Sequence, residues 1–205
     1  MCFVSENHYF STSPEGPLVT REIQVSLNGQ KTKVLAAGGI FSPEHIDQGT
    51  QVLLAHLENA NPTGTFLDIG CGWGPIALAL AMHSPKATIY AIDVNERSLE
   101  LTKLNAERLG LKNIVVCRPE DVPANVVFDE IWSNPPIRVG KKVLHEILEL
   151  WLNRLATGGT ARLVVQKNLG SDSLHKWLVA EFSPNFESTR IDSSKTFRVL
   201  KVSKI

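Results

Sequence analysis

Four consecutive residues, Asn134-Pro135-Pro136-Ile137, follow a hydrophobic stretch and form the sharpest chemical feature of the sequence. Each proline fixes its backbone φ and lacks an N–H donor, so the carbonyl groups around the pair are rigidly aimed acceptors. The side-chain oxygen of Asn134 adds another acceptor. Such acceptors suit a planar nitrogen whose protons are held while its lone pair attacks an electrophile. These four residues are therefore candidate catalytic residues, and a rigid turn without a ligand is the alternative.

A second candidate site is the glycine-rich segment Asp68-Ile69-Gly70-Cys71-Gly72-Trp73-Gly74, which opens directly into a predicted helix. Glycines let a ligand approach the backbone closely, and a helix N-terminus favours a negative group. The glycines are spaced Gly-x-Gly-x-Gly, whereas the dinucleotide fingerprint is Gly-x-Gly-x-x-Gly. The Asp68 carboxylate suits a cationic amino group better than a pyrophosphate. We take Asp68, Gly70, Cys71 and Gly72, together with Asn134, as cofactor-binding candidates, and a tight ligand-free turn is the alternative for the glycine-rich segment.

Two further acidic positions complete a possible adenosine site. Asp93 ends the next apolar run, with Asn95 two residues on, and a carboxylate there can accept two hydrogen bonds from a ribose diol. Nicotinamide and adenosyl-methionine proteins share this feature, so it does not choose between them. A charge that complements the following helix dipole is the alternative for Asp93. Asp121 offers a carboxylate for an adenine amino group, although a solvated loop residue would look the same.

The elements that position these residues alternate between strands and helices from about residue 46. Strands are predicted at 65–69, 88–92, 113–117, 127–132, 160–165, 186–191 and 197–202, and helices at 46–57, 75–82, 95–109, 141–155 and 171–182. Near-continuous apolar strands alternating with helices are typical of a mostly parallel sheet covered on both faces. In such a sheet, ligands bind at the carboxyl ends of the strands, where all the candidate residues fall.

The fold class is therefore predicted to be α/β, a Rossmann-like doubly wound sheet of seven strands. The last two strands have no helix between them, so the last strand should run antiparallel. The helix at 141–155 is predicted to stop before Gly158-Gly159. We expect a single domain over 1–205, with its cofactor-binding and catalytic core at 46–205.

The remaining segment, 1–45, is predicted to be an N-terminal hairpin extension outside the main sheet. Apolar and polar residues alternate over 21–27 and again over 31–35, with Asn28-Gly29 between them. Asn-Gly between two alternating runs is the strongest short hairpin signal, because both turn positions need a positive φ.

The composition excludes several classes of protein. The 205 residues carry 21 Lys and Arg against 21 Asp and Glu, which argues against a protein that coats nucleic acid by charge alone. The longest apolar runs are far shorter than the roughly 18–20 residues that span a bilayer, and the first residues do not resemble a secretory signal. Cys2, Cys71 and Cys117 are scattered, and no His-x-x-x-His pair occurs. We expect a cytoplasmic protein with no membrane segment, disulfide or metal site.

Taken together, Asp68-x-Gly70-x-Gly72-x-Gly74 and Asn134 to Ile137 resemble class I S-adenosylmethionine-dependent methyltransferases that act on exocyclic amino nitrogens. The resemblance extends to the "methyltransferase small domain" group, which includes small-subunit ribosomal RNA guanine-N2 methyltransferases. The segments that carry it run over nearly the whole chain: His8-Tyr9-Phe10-Ser11, Gly39-Ile40-Phe41-Ser42, Asp47-Gln48-Gly49-Thr50, Asn134 to Lys142, Gln166-Lys167 and Phe197-Arg198-Val199-Leu200.

The resemblance implies S-adenosyl-L-methionine as cofactor, with Asp68, Gly70 and Gly72 at its methionine end, Asp93 at its ribose and Asp121 at its adenine. It also implies that Asn134 and the Pro135 carbonyl hold the target amine. Phe41 and Asp47, with the three residues that follow it, would close the pocket over cofactor and substrate. The partner it implies is ribosomal RNA or the small ribosomal subunit. Many relatives carry an aromatic residue where this chain has Ile137. A monomer is the favoured oligomeric state.

Basic residues after the later strands could form a phosphate-binding rim around the crevice. They are Arg138, Lys141, Lys142, Lys167, Lys195 and Arg198, of which Arg138, Lys141, Lys167 and Arg198 are candidate substrate-binding residues. Solvated surface charges are the alternative. Three other functions stay open: methylation of a protein side-chain amide or a small molecule, a non-catalytic adenosyl-binding module, and a nicotinamide oxidoreductase.

Overall fold

The computed structural model describes residues 17–205, which form an N-terminal hairpin and one seven-stranded sheet. The hairpin pairs β1 (Thr20–Leu27) with β2 (Gln30–Ala37). Asn28 and Gly29 have φ values of 46° and 73°, the two left-handed positions that this tight turn requires. The predicted hairpin, separate from the main sheet, is confirmed.

The main sheet has the strand order β5-β4-β3-β6-β7-β9-β8. Its strands are β3 (Thr63–Ile69), β4 (Lys86–Ile92), β5 (Ile114–Cys117), β6 (Phe128–Ser133), β7 (Leu155–Gln166), β8 (Phe186–Ser193) and β9 (Phe197–Lys204). Strand β9 is antiparallel to both of its neighbours, β7 and β8, and the pairs among β3 to β7 are parallel. The α/β fold with an antiparallel last strand is therefore as predicted.

Helices cover both faces of this sheet. They are α1 (Gln48–Leu54), α2 (Pro75–His83), α3 (Glu96–Arg108), α4 (Lys141–Leu152) and α5 (Ser171–Phe182). One apolar core contains buried side chains of the hairpin and of α1, α2 and α3. A second core contains those of α4 and α5, so the sheet is doubly covered.

The predicted end of the fourth helix is wrong. Helix α4 ends at Leu152 and β7 already begins at Leu155, so Gly158 and Gly159 lie inside a strand. The main chain passes too closely there for a side chain: a Cβ on Gly159 would lie 2.8 Å from the Ala156 carbonyl oxygen and 3.0 Å from that of Phe128. Gly159 therefore reflects close strand packing, which is a known use of glycine in a strand.

The register of the sheet places the candidate residues at one level. Ile69 pairs with Ile92 on one side and with Ser133 on the other. Gly70, Asp93 and Asn134 are each the next residue of the chain. Three neighbouring strands thus deliver the glycine loop, the predicted ribose contact and the predicted amine contact to one edge of the sheet.

Candidate active site

The glycine loop between β3 and α2 is held by the end of the adjacent strand. The N–H groups of Gly70 and Cys71 both donate to the Ile92 carbonyl at 2.9 Å, and the Gly72 N–H donates to Asp93 Oδ2 at 3.0 Å. Gly74 has φ 98°, and a Cβ there would lie 3.1 Å from the buried Thr102 side chain. The loop is therefore fixed by both its backbone conformation and its packing.

Asp68 lies beneath this loop with its side chain fully buried. Its Oδ2 accepts a 3.0 Å hydrogen bond from the Ala77 N–H, while Oδ1 has no partner among the described residues. The pKa of the Asp68 carboxyl is raised to about 8, chiefly by burial, with the Ala77 N–H opposing the rise and the Asp93 charge adding to it. A buried acidic oxygen without a partner fits a ligand that brings positive charge, such as the methionine end of S-adenosylmethionine.

Asp93 is a half-buried carboxylate that organises the backbone on both sides of the crevice. It accepts hydrogen bonds from the Gly72 N–H and, at 2.9 Å, from the Asn95 N–H. Burial raises the pKa of Asp93, and these two N–H groups partly offset that effect. Its place one residue past β4 fits the predicted ribose contact.

Asn95 and Asp121 occupy different surroundings. Asn95 is buried, and its side-chain oxygen caps α3 by accepting from the Arg97 and Ser98 N–H groups. Its Nδ2 donates to the Gly39 carbonyl at 3.0 Å. The structure thus uses the Asn95 side chain within the fold, whereas Asp121 is exposed in a short 3-10 turn after β5.

Asn134 is the central side chain on the side of the pocket opposite the glycine loop. Its Nδ2 donates to Asp47 Oδ2 at 2.9 Å and to Thr50 Oγ1 at 3.1 Å. The described residues donate no hydrogen bond to its Oδ1, which leaves that acceptor available. Thr50, which the sequence marked only as part of the segment 47–50, contacts Asn134 directly. The sequence feature that could have identified Thr50 is its position three residues after Asp47, the residue that caps the helix. This spacing places both side chains in one helical turn.

The two prolines hold a tight turn after Asn134. The buried Pro135 accepts a 2.8 Å hydrogen bond from the Ile137 N–H, so one lone pair of its carbonyl remains. Pro136 has φ −74° and ψ 73°, the geometry of an inverse γ-turn. Ile137 is half-buried and packs against the core under α4 and α5, so its side chain is used in packing.

The segment before α1 forms a further wall of the pocket. The indole N–H of Trp73, in the glycine loop, donates to the Ser42 carbonyl at 3.2 Å. This bond ties the segment that carries Phe41 to the cofactor loop. One pocket is lined by Phe41, Ser42, Asp47, Thr50, Gly70, Cys71, Gly72, Trp73, Pro75, Ile76 and Asn134. The Cys71 thiol is buried beside Thr102, and burial raises its pKa.

The predicted basic residues lie outside this pocket. Arg138 and Lys141 are exposed just after β6, and Lys167 is half-buried after β7, all at the carboxyl edge of the sheet. Arg198 instead forms an ion pair with Asp172 of α5, which also pairs with Arg190 at 2.9 Å. The motif His8-Tyr9-Phe10-Ser11 lies outside the described residues.

Within residues 17–205, no group of three or more His, Cys, Asp or Glu side chains is placed to hold a metal ion. None of the helices in the same range is long and apolar enough to cross a membrane.

A Rossmann-like sheet, a glycine loop over a buried acid, and an Asn-Pro-Pro turn at one sheet edge define an S-adenosylmethionine-dependent methyltransferase. The comparison with protein families agrees. The chain belongs to the methyltransferase small domain family, whose model matches residues 31–201, and this family uses S-adenosylmethionine.

Similar proteins differ in how much of their length this chain matches. The uncharacterized Bacillus subtilis protein YbxB is 33% identical over 97% of this chain and 98% of that protein. The ribosomal RNA small subunit methyltransferase C of Klebsiella pneumoniae is 35% identical over 62% of this chain, but over only 38% of that enzyme.

One solved structure shares the fold over almost the whole chain. It is the T. thermophilus 16S rRNA N2 methyltransferase in complex with AdoMet and guanosine, with a TM-score of 0.78 and 24% identity. The match covers 94% of this chain and 52% of that one. This chain therefore spans about half or less of the length of both ribosomal RNA methyltransferases.

Proposed function

We propose that this protein methylates an exocyclic amino nitrogen, the N2 of guanine in ribosomal RNA, with the small ribosomal subunit or its RNA as partner. The observation that carries the proposal is the Asn134 carboxamide. Its nitrogen is held by Asp47 and Thr50, and its oxygen is left as an acceptor in the pocket that the glycine loop lines.

In this proposal, the cofactor lies along the ends of β3, β4 and β5. Gly70, Cys71 and Gly72 border its methionine end above Asp68, while Asp93 accepts from the ribose and Asp121 from the adenine. When bound, S-adenosylmethionine would supply a methyl group on a sulfonium; the bond from this methyl to sulfur breaks and a neutral thioether leaves, which needs no metal or covalent intermediate. Asn95 supports the ribose contact indirectly, because its N–H donates to Asp93 and its side chain caps α3.

The protein's part in the reaction is to hold and orient the amine. Asn134 Oδ1 and the remaining lone pair of the Pro135 carbonyl would accept the two amine hydrogens, which leaves the nitrogen lone pair free to attack. These acceptors would stabilise the nitrogen as it becomes positive, a contribution of about 3 kcal/mol for one such polar group, until one of its two hydrogens leaves as a proton to solvent. The rigid Pro135-Pro136 turn keeps the acceptors in place, and orientation of this kind can contribute roughly 7–11 kcal/mol at best.

The choice of RNA rests on the relatives and on charge. Small-subunit ribosomal RNA is the substrate named for the Klebsiella pneumoniae relative, and guanosine is bound in the T. thermophilus structure. In this chain, Arg138 and Lys141 follow Asn134 closely in the sequence, and Lys167 follows the neighbouring strand β7 on the same edge of the sheet. Phosphates of a single-stranded or flipped-out nucleotide would meet these cations, with Phe41 at the pocket wall.

To test this proposal, the protein is incubated with methyl-labelled S-adenosylmethionine and unmodified small subunits, free ribosomal RNA, transfer RNA or protein extract. The RNA is then digested to nucleosides. Label in N2-methylguanosine is the expected result. Label in another nucleoside, in protein or in a small molecule would contradict the guanine assignment.

The matched control is Asn134→Ala, which removes the amine acceptor but leaves the glycine loop intact. It is expected to lower turnover about 100- to 1,000-fold, the range for loss of one polar group that stabilises developing charge. Cofactor affinity, measured by calorimetry, should stay within about twofold of wild type. Equal loss of turnover and affinity would place Asn134 in cofactor binding instead.

A further inference from the structure

Both hydrogens of the Asn134 carboxamide are donated to α1 and its cap. One partner is Asp47 Oδ2 at 2.9 Å, and the other is Thr50 Oγ1 at 3.1 Å. A carboxylate only accepts hydrogen bonds, so the amide nitrogen must be the atom that faces Asp47. The carboxamide is planar, and its Oδ1 therefore has to point away from α1.

The Asp47 carboxylate is itself fixed by the helix. The same Oδ2 accepts from the Gly49 N–H at 2.8 Å and from the Thr50 N–H at 3.3 Å, so Asp47 is the N-cap of α1. Helix α1 is anchored by the fully buried Leu53 and by close contact of Gly49 with the Phe197 ring, where a Cβ would lie at 2.8 Å. One oxygen thus links a rigid helix to the side chain that is proposed to hold the substrate amine.

We infer that Asp47 and Thr50 are positioning residues that act through Asn134, and that the negative charge of Asp47 strengthens the Asn134 oxygen as an acceptor. This inference rests on the proposed function of Asn134. A carboxylate that receives the amide N–H draws positive charge toward the nitrogen and leaves more negative charge on Oδ1, because hydrogen bonds in a chain polarise one another. Oδ1 then stabilises the amine as it becomes cationic.

The chain allows the charge to be separated from the cap. Asparagine caps helices as well as aspartate does, and in Asp47→Asn the side-chain oxygen can still accept the two shorter hydrogen bonds, from the Gly49 N–H and from Asn134. The variant therefore keeps the fold and the geometry but loses the charge. Because hydrogen bonds to charged groups are stronger than neutral ones, the single-turnover methylation rate is expected to fall about tenfold. Thr50→Val, which keeps the shape of the side chain, should show a smaller loss.

A double-mutant cycle with Asn134→Ala distinguishes positioning from other roles. If Asp47 acts through Asn134, Asp47→Asn should change the rate less than about twofold in the Asn134→Ala background. The same tenfold loss in both backgrounds would overturn the inference, because Asp47 would then act on the substrate or the fold directly. Asp129→Asn is the matched control: Asp129 also accepts a backbone N–H, from Thr65 at 2.7 Å, but at the opposite edge of the sheet.

The cycle is run with whichever acceptor the wild-type protein methylates, so an acceptor other than guanine refutes the proposed substrate without deciding this inference. A second measurement needs no acceptor. The side-chain NH₂ signals of Asn134 in ¹⁵N NMR spectra should be protected from solvent exchange, and protection should fall in Asp47→Ala and in Thr50→Val. Unchanged signals in both variants would show that Asn134 is not held by α1, which would overturn the inference.

Discussion

The Asp68 carboxyl is fully buried, which raises its pKa from 3.8 to about 8, so most of it is neutral near pH 7. Between these two values the folded protein keeps a proton that the unfolded chain releases. The stability that this proton brings is full below about pH 4 and is lost as the pH rises through about 8. A cationic ligand beside Oδ1 reverses the preference, because it favours the ionised carboxylate. In the proposed cofactor site, the buried Asp68 therefore favours cofactor binding at the expense of the stability of the free protein.

Asp68→Asn should remove the loss of stability at high pH, since the amide has nearly the same shape as the carboxyl group and no charge to bury. Without cofactor, the Tm of the variant should rise relative to the Tm of the wild type as the pH is raised from 5 to 9. A gain of about 1 kcal/mol would appear as roughly 2–4 °C in Tm for a chain of this size. Cofactor affinity should fall at least tenfold. A Tm decrease of equal size at every pH would show that Asp68 serves the fold through its Ala77 hydrogen bond instead.

At the scale of elements, helix α3 connects the hairpin to the glycine loop through one residue. Asn105 is fully buried, and its Oδ1 accepts from the Leu35 N–H at 2.6 Å. Its Nδ2 donates to the Leu35 carbonyl at 2.9 Å and to the Trp73 carbonyl at 3.0 Å. The side chain thus pairs with β2 as a strand would and fixes the loop residue between Gly72 and Gly74. The hairpin is in this way part of the support of the glycine loop.

Asn105→Ala should leave three backbone groups of Leu35 and Trp73 without their partner, at a cost of about 1–3 kcal/mol for each group that stays buried. Urea denaturation should show the loss of stability, and hydrogen exchange should become faster at the Leu35 amide. Cofactor affinity should fall as well, because Trp73 is in the loop. Arg108→Ala is the control, since it removes an exposed ion pair between the same helix and Glu22 of the hairpin. That change should lower the stability much less than Asn105→Ala, because an exposed ion pair contributes little, and an equal cost for both variants would contradict the role of Asn105.

The order of elements was predictable because local signals were strong. Asn28-Gly29 marked the hairpin, and the boundaries of α5 at Ser171 and Phe182 agree with its apolar periodicity. The end of α4 was not predictable in this way, since the use of Gly159 depends on a neighbouring strand. The pocket likewise has features that the sequence predicts and features that it does not. Motif residues such as Asn134 and Gly70 could be placed at one sheet edge, but the Asp47–Asn134 hydrogen bond joins residues 87 positions apart. Sequence periodicity carries no information on such a contact.

At the scale of the whole molecule, zero net charge conceals an uneven distribution. The carboxyl ends of β3 and β4 bear Asp68 and Asp93, which suit a cationic cofactor. The exposed Arg138 and Lys141 follow β6, on the side of the sheet toward β7, β9 and β8. A neutral protein with a basic patch on one part of this edge can bind RNA there without coating it elsewhere.

Replacing Arg138 and Lys141 together with Gln tests whether this edge binds RNA. Each lost phosphate contact lowers the slope of log affinity against log salt by about 0.7–0.9, so two lost contacts should lower it by about 1.4–1.8. The measurement is RNA affinity by filter binding over a range of salt concentrations, with cofactor affinity measured in parallel and expected to be unchanged. The double variant Lys86→Gln and Lys112→Gln is the matched control. Both lysines are exposed near the amino ends of β4 and β5, at the edge of the sheet opposite to Arg138 and Lys141. If both pairs changed the slope equally, RNA would be attracted by overall charge, and the edge beside Asn134 would not be its binding site.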